Sequence, residues 1–379
     1  MQQTKTDWKL FGATVTMVAA GLVMVYSASN VVADAKHGLG AYFLLRQTGW
    51  AVASLLVLMY MKKLDYDRLH APAWAFGSLG VVWILLVAVY FADPRTHRWF
   101  RTPAGSIQPA EFAKPALILF LAWFVSGRLG AINNNRYTLA PAALVTSLLF
   151  FAVGVADLGT AIVLVATAAA VFYVAGLERR YFAIALISGG ILIAGAILSK
   201  PYRLGRIIAY VDPEYKVISL IDPEGRLKAW VQSHSPVGDQ TYQARQSVIA
   251  VGNGGVLGVG LMQGKQKLFY LPEAHTDFIY AVVSEELGLW GSTALLGGFL
   301  IILWRGMRLV RAAPDDFGRY LALGVTCSIV VQALINMSVA LDLVPTKGIP
   351  LPMISYGGSS LLSTLIQLGF LLSVSEAAA

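Results

Sequence analysis

Ten apolar stretches divide the chain, at residues 10–28, 47–61, 73–92, 113–127, 139–155, 159–176, 181–199, 278–304, 318–341 and 357–375. A helix needs about 20 mostly apolar residues to cross about 30 Å of hydrocarbon. Composition closes off the soluble alternative. Only 13% of the 379 residues are charged and 57% are hydrophobic, whereas soluble proteins carry about 25% charge. So few charges cannot coat a soluble surface, and the mean hydropathy of +0.64 is far from that of a disordered chain. The predicted fold class is an all-α polytopic membrane protein of about ten transmembrane helices, one domain over 1–379. Cys327 is the only cysteine, so no intrachain disulfide forms.

Loop charge sets the predicted orientation. With a cytoplasmic N-terminus, thirteen basic residues lie inside: Lys5, Lys9, Lys62, Lys63, Arg68, Arg128, Arg136, Arg179, Arg180, Arg305, Arg308, Arg311 and Arg319. Six lie in short outer loops: Lys36, Arg46, Arg95, Arg98, Arg101 and Lys347. The positive-inside rule favours that choice and puts both termini in the cytoplasm. The same loops account for the net charge of +8 without nucleic acid. Lys5, Lys9 and the run up to Ser27-Ala28-Ser29 have the outline of a signal peptide, but a retained first span suits the charge pattern better. Residues 200–277 are too polar to cross and form one large extracytoplasmic loop between the seventh and eighth helices.

The informative charges stand where a membrane protein avoids them. Arg95, Arg98 and Arg101 crowd one outer loop, as headgroup anchors or as an anion site. Pro109 fits the first helical position, and Glu111 and Lys114 are three apart, so they share a helix face and can pair. That pair reads as a structural bridge or as the wall of a charged cavity. Asp157 stands in a tight turn where it can cap the following helix.

The large loop carries an amphipathic piece at 242–250 and then glycines at 252, 254, 255, 258, 260 and 264. No Gly-Lys-Ser/Thr closes them, so they are not a P-loop; they permit tight turns. Thr276 is the expected N-cap of a long helix over 278–304, with Asp277 in its first turn, where the dipole favours a charged carboxylate. Glu285 and Glu286 lie two turns deeper, and intramembrane acids usually face a protein interior or cavity. Three prolines and Gly357-Gly358 interrupt the approach to the last helix, which predicts a broken segment beside a site. Scattered histidines offer no metal cluster.

Several ordered segments resemble the SEDS family (shape, elongation, division and sporulation): HRWF at 97–100, SIQPAEFAK at 106–114, DLGTA at 157–161, YRLGRIIAYVDP at 202–213, YQARQS at 242–247, GKQKLFYLPEAHTDFIYAVVSEELG at 264–288 and VPTKGIPLPMISYGGSS at 344–360. The wording resembles the division branch, FtsW, more than the elongation branch, RodA. The resemblance implies a peptidoglycan glycosyltransferase that polymerises lipid II at the outer face of the bacterial cytoplasmic membrane. It implies Asp277 as general base, and substrate binding by Arg98, Glu111, Lys114, Asp157, Arg203, Arg206, Gln246, Ser247, His275, Thr276 and Lys347. The implied partners are a class B penicillin-binding protein and other divisome or elongasome membrane proteins. The one cofactor left open is a divalent cation, magnesium or manganese, assisting pyrophosphate departure. Ala156 and Asn253 depart from the family's usual Pro and Ser, and 212–242 is longer than expected. A lipid II flippase is the competing reading, since broken helices and buried acids suit a transporter too.

Overall fold

The computed structural model describes residues 6–94, 96–102, 105–198, 204, 208, 210–212, 222, 225, 226, 229, 237–345 and 348–378. The chain divides into two compact units. The first comprises Met1–Leu177, Thr293–Leu334 and Ile349–Ala379; the second comprises Glu178–Ser292 and Ile335–Gly348.

The first unit opens with α1 (Trp8–His37), α2 (Tyr42–Lys63), the short α3 (Tyr66–Leu69) and α4 (Pro72–Ala92). A hairpin of β1 (Phe100–Thr102) and β2 (Gly105–Ile107) follows, pairing Phe100 with Ile107 and Arg101 with Ser106. It delivers the chain to α5 (Pro109–Ser126), where Pro109 takes the first position as the sequence suggests. Next come α6 (Ala140–Ala156) and α7 (Leu158–Val174). The last helix, α12 (Gly358–Ala377), packs on α2 and α5. It is buried along nearly its whole length, although Ser359, Ser360, Ser363, Thr364, Gln367, Ser373 and Ser375 lie on it. A helix buried all round needs internal partners for such groups. Ser363 donates to the Glu111 carbonyl (2.7 Å) and Ser373 to that of Leu64 (2.5 Å).

The irregular approach to α12 is held the same way. Leu351 N–H donates to Ser355 Oγ (2.8 Å), and Gln47 on α2 bonds the Ser355 carbonyl and the Gly357 amide (3.3 and 3.2 Å). A side chain at Gly21 of α1 would meet the Met353 carbonyl at 2.3 Å, so glycine there lets this backbone lie against the helix. Irregular backbone of this kind survives at membrane depth because protein satisfies it.

The second unit holds α8 (Arg179–Leu198), α9 (Val237–Gly254), the turns of 255–278 and the start of α10 (Ile279–Ala312). The end of α11 (Asp316–Ala340) also belongs to it. Part of the expected loop is thus an 18-residue helix. Most of its extended stretch, His234 and Pro236 included, lies outside the described residues. Among the described residues eight helices are long and apolar enough to cross a membrane, one of them α6 continued back to Asn135. α7 is apolar but has 17 residues, and α8 occupies the predicted seventh stretch.

α10 departs from expectation. Instead of one uninterrupted helix it breaks at Gly288, whose φ of 62° and ψ of −157° suit glycine almost alone. The cause is the glycine stretch. Val259 and Gly260 donate their amides to the Glu285 and Glu286 carbonyls (3.0 Å each), and Leu289 donates to the Gly255 carbonyl (3.0 Å). A side chain at Gly258 would stand 2.2 Å from the Glu286 carbonyl, and one at Gly288 would stand 2.3 Å from the Gly258 nitrogen. These glycines therefore serve close backbone approach as well as turning.

Candidate active site

The residues picked from sequence fall into two groups, one in each unit. In the first unit, Asp157 caps α7 as expected, accepting from the Gly159 and Thr160 amides (3.0 and 3.2 Å). Its other oxygen takes an Arg98 guanidinium at 2.9 Å and the Gln108 amide at 2.7 Å. The capping and charge-handling readings are thus both realised in one carboxylate. Arg98 is held from its backbone too. Asp93, just past α4, accepts from the amides of Arg98 and Trp99 (3.4 Å each) and from the Thr96 hydroxyl. The Thr96 hydroxyl, helped by those amides and opposed by burial, holds the Asp93 carboxyl down at about 2. Arg101 stands exposed on β1, and Arg95 lies outside the described residues.

Glu111 and Lys114 form the pair their spacing predicts, at 2.8 Å, and each side chain is only 1% exposed. The ammonium also donates to Gln332 of α11 at 2.5 Å, and Gln332 donates to the Pro350 carbonyl at 2.8 Å. Glu111 Oε1 finds no donor among the described residues. Arginine and lysine here are therefore already engaged, Arg98 by a carboxylate and Lys114 by two acceptors.

In the second unit Asp277 precedes α10 and is half-buried. The cap assignment to Thr276 is corrected. Helical hydrogen bonding starts at the Phe278 carbonyl, which accepts from Ala281 (3.0 Å). Thr276 Oγ1 instead donates back to the Glu273 carbonyl and carboxylate (3.2 and 2.8 Å). The reason lies in Glu273, whose φ of 55° turns the chain back so that its carbonyl meets the amides of Thr276 and Phe278 (3.1 and 3.3 Å). The Asp277 carbonyl accepts from Asn336 (2.8 Å), and a side chain at Gly348 would stand 2.8 Å from its Oδ2. The carboxylate thus lies against bare backbone. His275 is half-buried in the same turn, and Gln246 is half-buried on α9. Ser247 is fully buried and its hydroxyl donates to the Ala340 carbonyl (2.6 Å), fastening α9 to the end of α11. Arg203, Arg206 and Lys347 lie outside the described residues.

Gln108, Gln332, Asn336 and Asp93 were not singled out from sequence, yet each bonds a candidate residue. Polar residues inside apolar runs were the available signal for Gln332 and Asn336.

The sequence profile of the FtsW/RodA/SpoVE cell cycle proteins matches residues 8–379. The chain belongs to this family. Stage V sporulation protein E of Bacillus subtilis is 38% identical to it, over 99% of this chain and 98% of that one. A probable peptidoglycan glycosyltransferase FtsW of Trichlorobacter lovleyi is also 38% identical, over 97% and 93%. The sporulation branch therefore stands beside the division branch. Among solved structures, a chain of a peptidoglycan synthase complex that coordinates polymerization and crosslinking has a TM-score of 0.75 at 27% identity, covering 98% of each chain. Rod shape determining protein RodA of Thermus thermophilus has a TM-score of 0.67 at 26% identity, over 98% of this chain and 96% of that one. An all-α integral membrane protein of this family is the shared conclusion of fold and sequence.

Proposed function

We infer that this chain is a peptidoglycan glycosyltransferase that polymerises lipid II, and that the whole of 1–379 acts as one domain. The observation that carries the reading is the full-length family match, with relatives that bear that activity in their names. The working surface is the outer face of the bacterial cytoplasmic membrane, with both termini in the cytoplasm. The partner is a class B penicillin-binding protein that crosslinks the product; other divisome or elongasome proteins complete the assembly.

Asp277 is the base. Its carboxylate takes the proton from the C4 hydroxyl of the acceptor N-acetylglucosamine as that oxygen bonds C1 of the donor N-acetylmuramic acid. The C1–O bond to undecaprenyl pyrophosphate breaks, and the configuration at C1 inverts. The small footprint of Gly348 supports this role, because any side chain at 348 would stand 2.8 Å from Oδ2. Arg98, with Lys114, Arg203 and Arg206, handles the developing pyrophosphate charge, and Lys347 binds substrate. Gln246, His275 and Thr276 contact the substrate sugars. Among the described residues no group of three His, Cys, Asp or Glu could hold a metal ion. A magnesium or manganese ion would assist pyrophosphate departure.

The test is purified protein with its penicillin-binding partner on lipid II, with glycan strands resolved by length. Asp277→Asn abolishes strands while partner binding persists; full polymerisation by that variant refutes the base. Lipid crossing sealed vesicles, with no polymer under any condition, would replace the enzyme by a flippase.

A further inference from the structure

Two carboxylates beside the break in α10 have no part in the chemistry above. Glu285 and Glu286 are 1% and 0% exposed. Neighbouring buried carboxylates are tolerated only with hydrogen bonds and a counter-charge. Both have them, from one short stretch, Met262–Lys267. Glu285 accepts from the amides of Lys265 (3.0 Å) and Gln266 (3.2 Å). Glu286 accepts from the Met262 amide (3.0 Å) and pairs with the Lys267 ammonium at 2.5 Å, a side chain only 4% exposed. Gly264 lies directly on them: a side chain there would stand 2.9 Å from Glu285 Oε2 and 3.0 Å from Glu286 Oε1.

The chain from Lys267 to Glu286 is thus a ring closed by a buried ion pair, and Asp277 lies midway round it. On one side of Asp277 the ring is helix, the first turns of α10. On the other side it has only isolated turns, such as Leu271 N–H to the Gln266 carbonyl (2.8 Å) and the bonds to the Glu273 carbonyl. A side without a repeating ladder depends on its far anchor for its position. That anchor is Lys267.

We propose that Lys267 and Glu286 are positioning residues for Asp277. Their bond fixes the 267–276 turns against α10 and so sets where the Asp277 carboxylate stands beside Gly348. Glu285 fastens the same stretch through its backbone. The proposal rests on the reading of Asp277 as base. A reacting group displaced by about 1 Å loses roughly a hundredfold in rate.

The experiment measures lipid II polymerisation by the protein with its penicillin-binding partner, for Lys267→Met, Glu286→Gln and the double variant, per folded, partner-bound molecule. Each single variant is expected to lower kcat by roughly ten- to a hundredfold at unchanged KM, and the double variant is expected to be no slower than the slower single. Unchanged kcat in the folded single variants overturns the proposal, as does a loss confined to KM. If Lys267→Met does not fold, Glu286→Gln, which keeps an acceptor for the Met262 amide, carries the comparison. If neither single folds, the double variant, which leaves neither charge of the pair stranded, carries it. An active Asp277→Asn refutes the base instead. An inactive Asp277→Asn beside wild-type kcat in the ion-pair variants leaves the base standing and removes the positioning role.

Discussion

Lys114→Met withdraws an ammonium from a site where water cannot replace it. Lys114 and Glu111 are each 1% exposed and 2.8 Å apart, and the ammonium also serves Gln332 at 2.5 Å. Methionine nearly matches lysine in length, so the loss is electrostatic, with little cavity. It strands the Glu111 carboxylate, whose Oε1 has no donor among the described residues, and takes the donor from Gln332 Oε1. Breaking one side of a buried pair and one hydrogen bond together costs about 4–6 kcal/mol. Adding Glu111→Gln removes the stranded charge and recovers most of that, because a neutral pair of similar volume is close to neutral for stability. The assay is reversible unfolding of the purified protein in detergent. A Lys114→Met variant as stable as the parent, or a double variant no better than the single, would refute the electrostatic account. Polymerisation by the refolded double variant gives a second answer. An inert but stable double variant gives the pair a role in lipid II use, and an active one leaves it structural.

Gly288→Ala forces a side chain into a backbone conformation reserved for glycine and onto the Gly258 nitrogen at 2.3 Å; a loss of at least about 1–3 kcal/mol is expected, read by the same unfolding. Asp157→Ala removes the α7 cap and strands Arg98 and Gln108, with about 1 kcal/mol from the cap alone. Asp157→Asn keeps an oxygen for the two amides but puts its amide nitrogen where Arg98 and Gln108 need an acceptor, so it should keep the cap, fold better than Ala and still impair lipid II use. Asp93 is held at about 2 when folded, against an ordinary 3.8. Its stabilising contribution is therefore complete above about pH 4 and is lost as pH falls from there towards 2. Asp93→Asn should flatten that part of the acid-unfolding curve.

Local chemistry was legible in the sequence, and long-range chemistry was not. The Asp157 cap, the Glu111–Lys114 spacing and the burial of Glu285 and Glu286 each follow from residues within one or two turns. The break at Gly288 escaped because 278–304 reads as unbroken apolar sequence, and hydropathy measures transfer, not φ and ψ. Its cause is a backbone segment about thirty residues upstream. Thr276 fitted the capping pattern but lost to the turn at Glu273. Gln108 and Gln332 meet their partners across 49 and 218 residues, separations at which spacing carries no information.

The buried pair on α5 also bears on how the chain enters the bilayer. A lone lysine or glutamate in a nascent span resists transfer into lipid. Here the two charges sit on one helix, three residues apart, so they neutralise each other as soon as α5 winds. Gln332, the outside partner, is synthesised 218 residues later, and α12, which covers α5, later still. The early helix carries its own counter-ion through the interval before its neighbours exist.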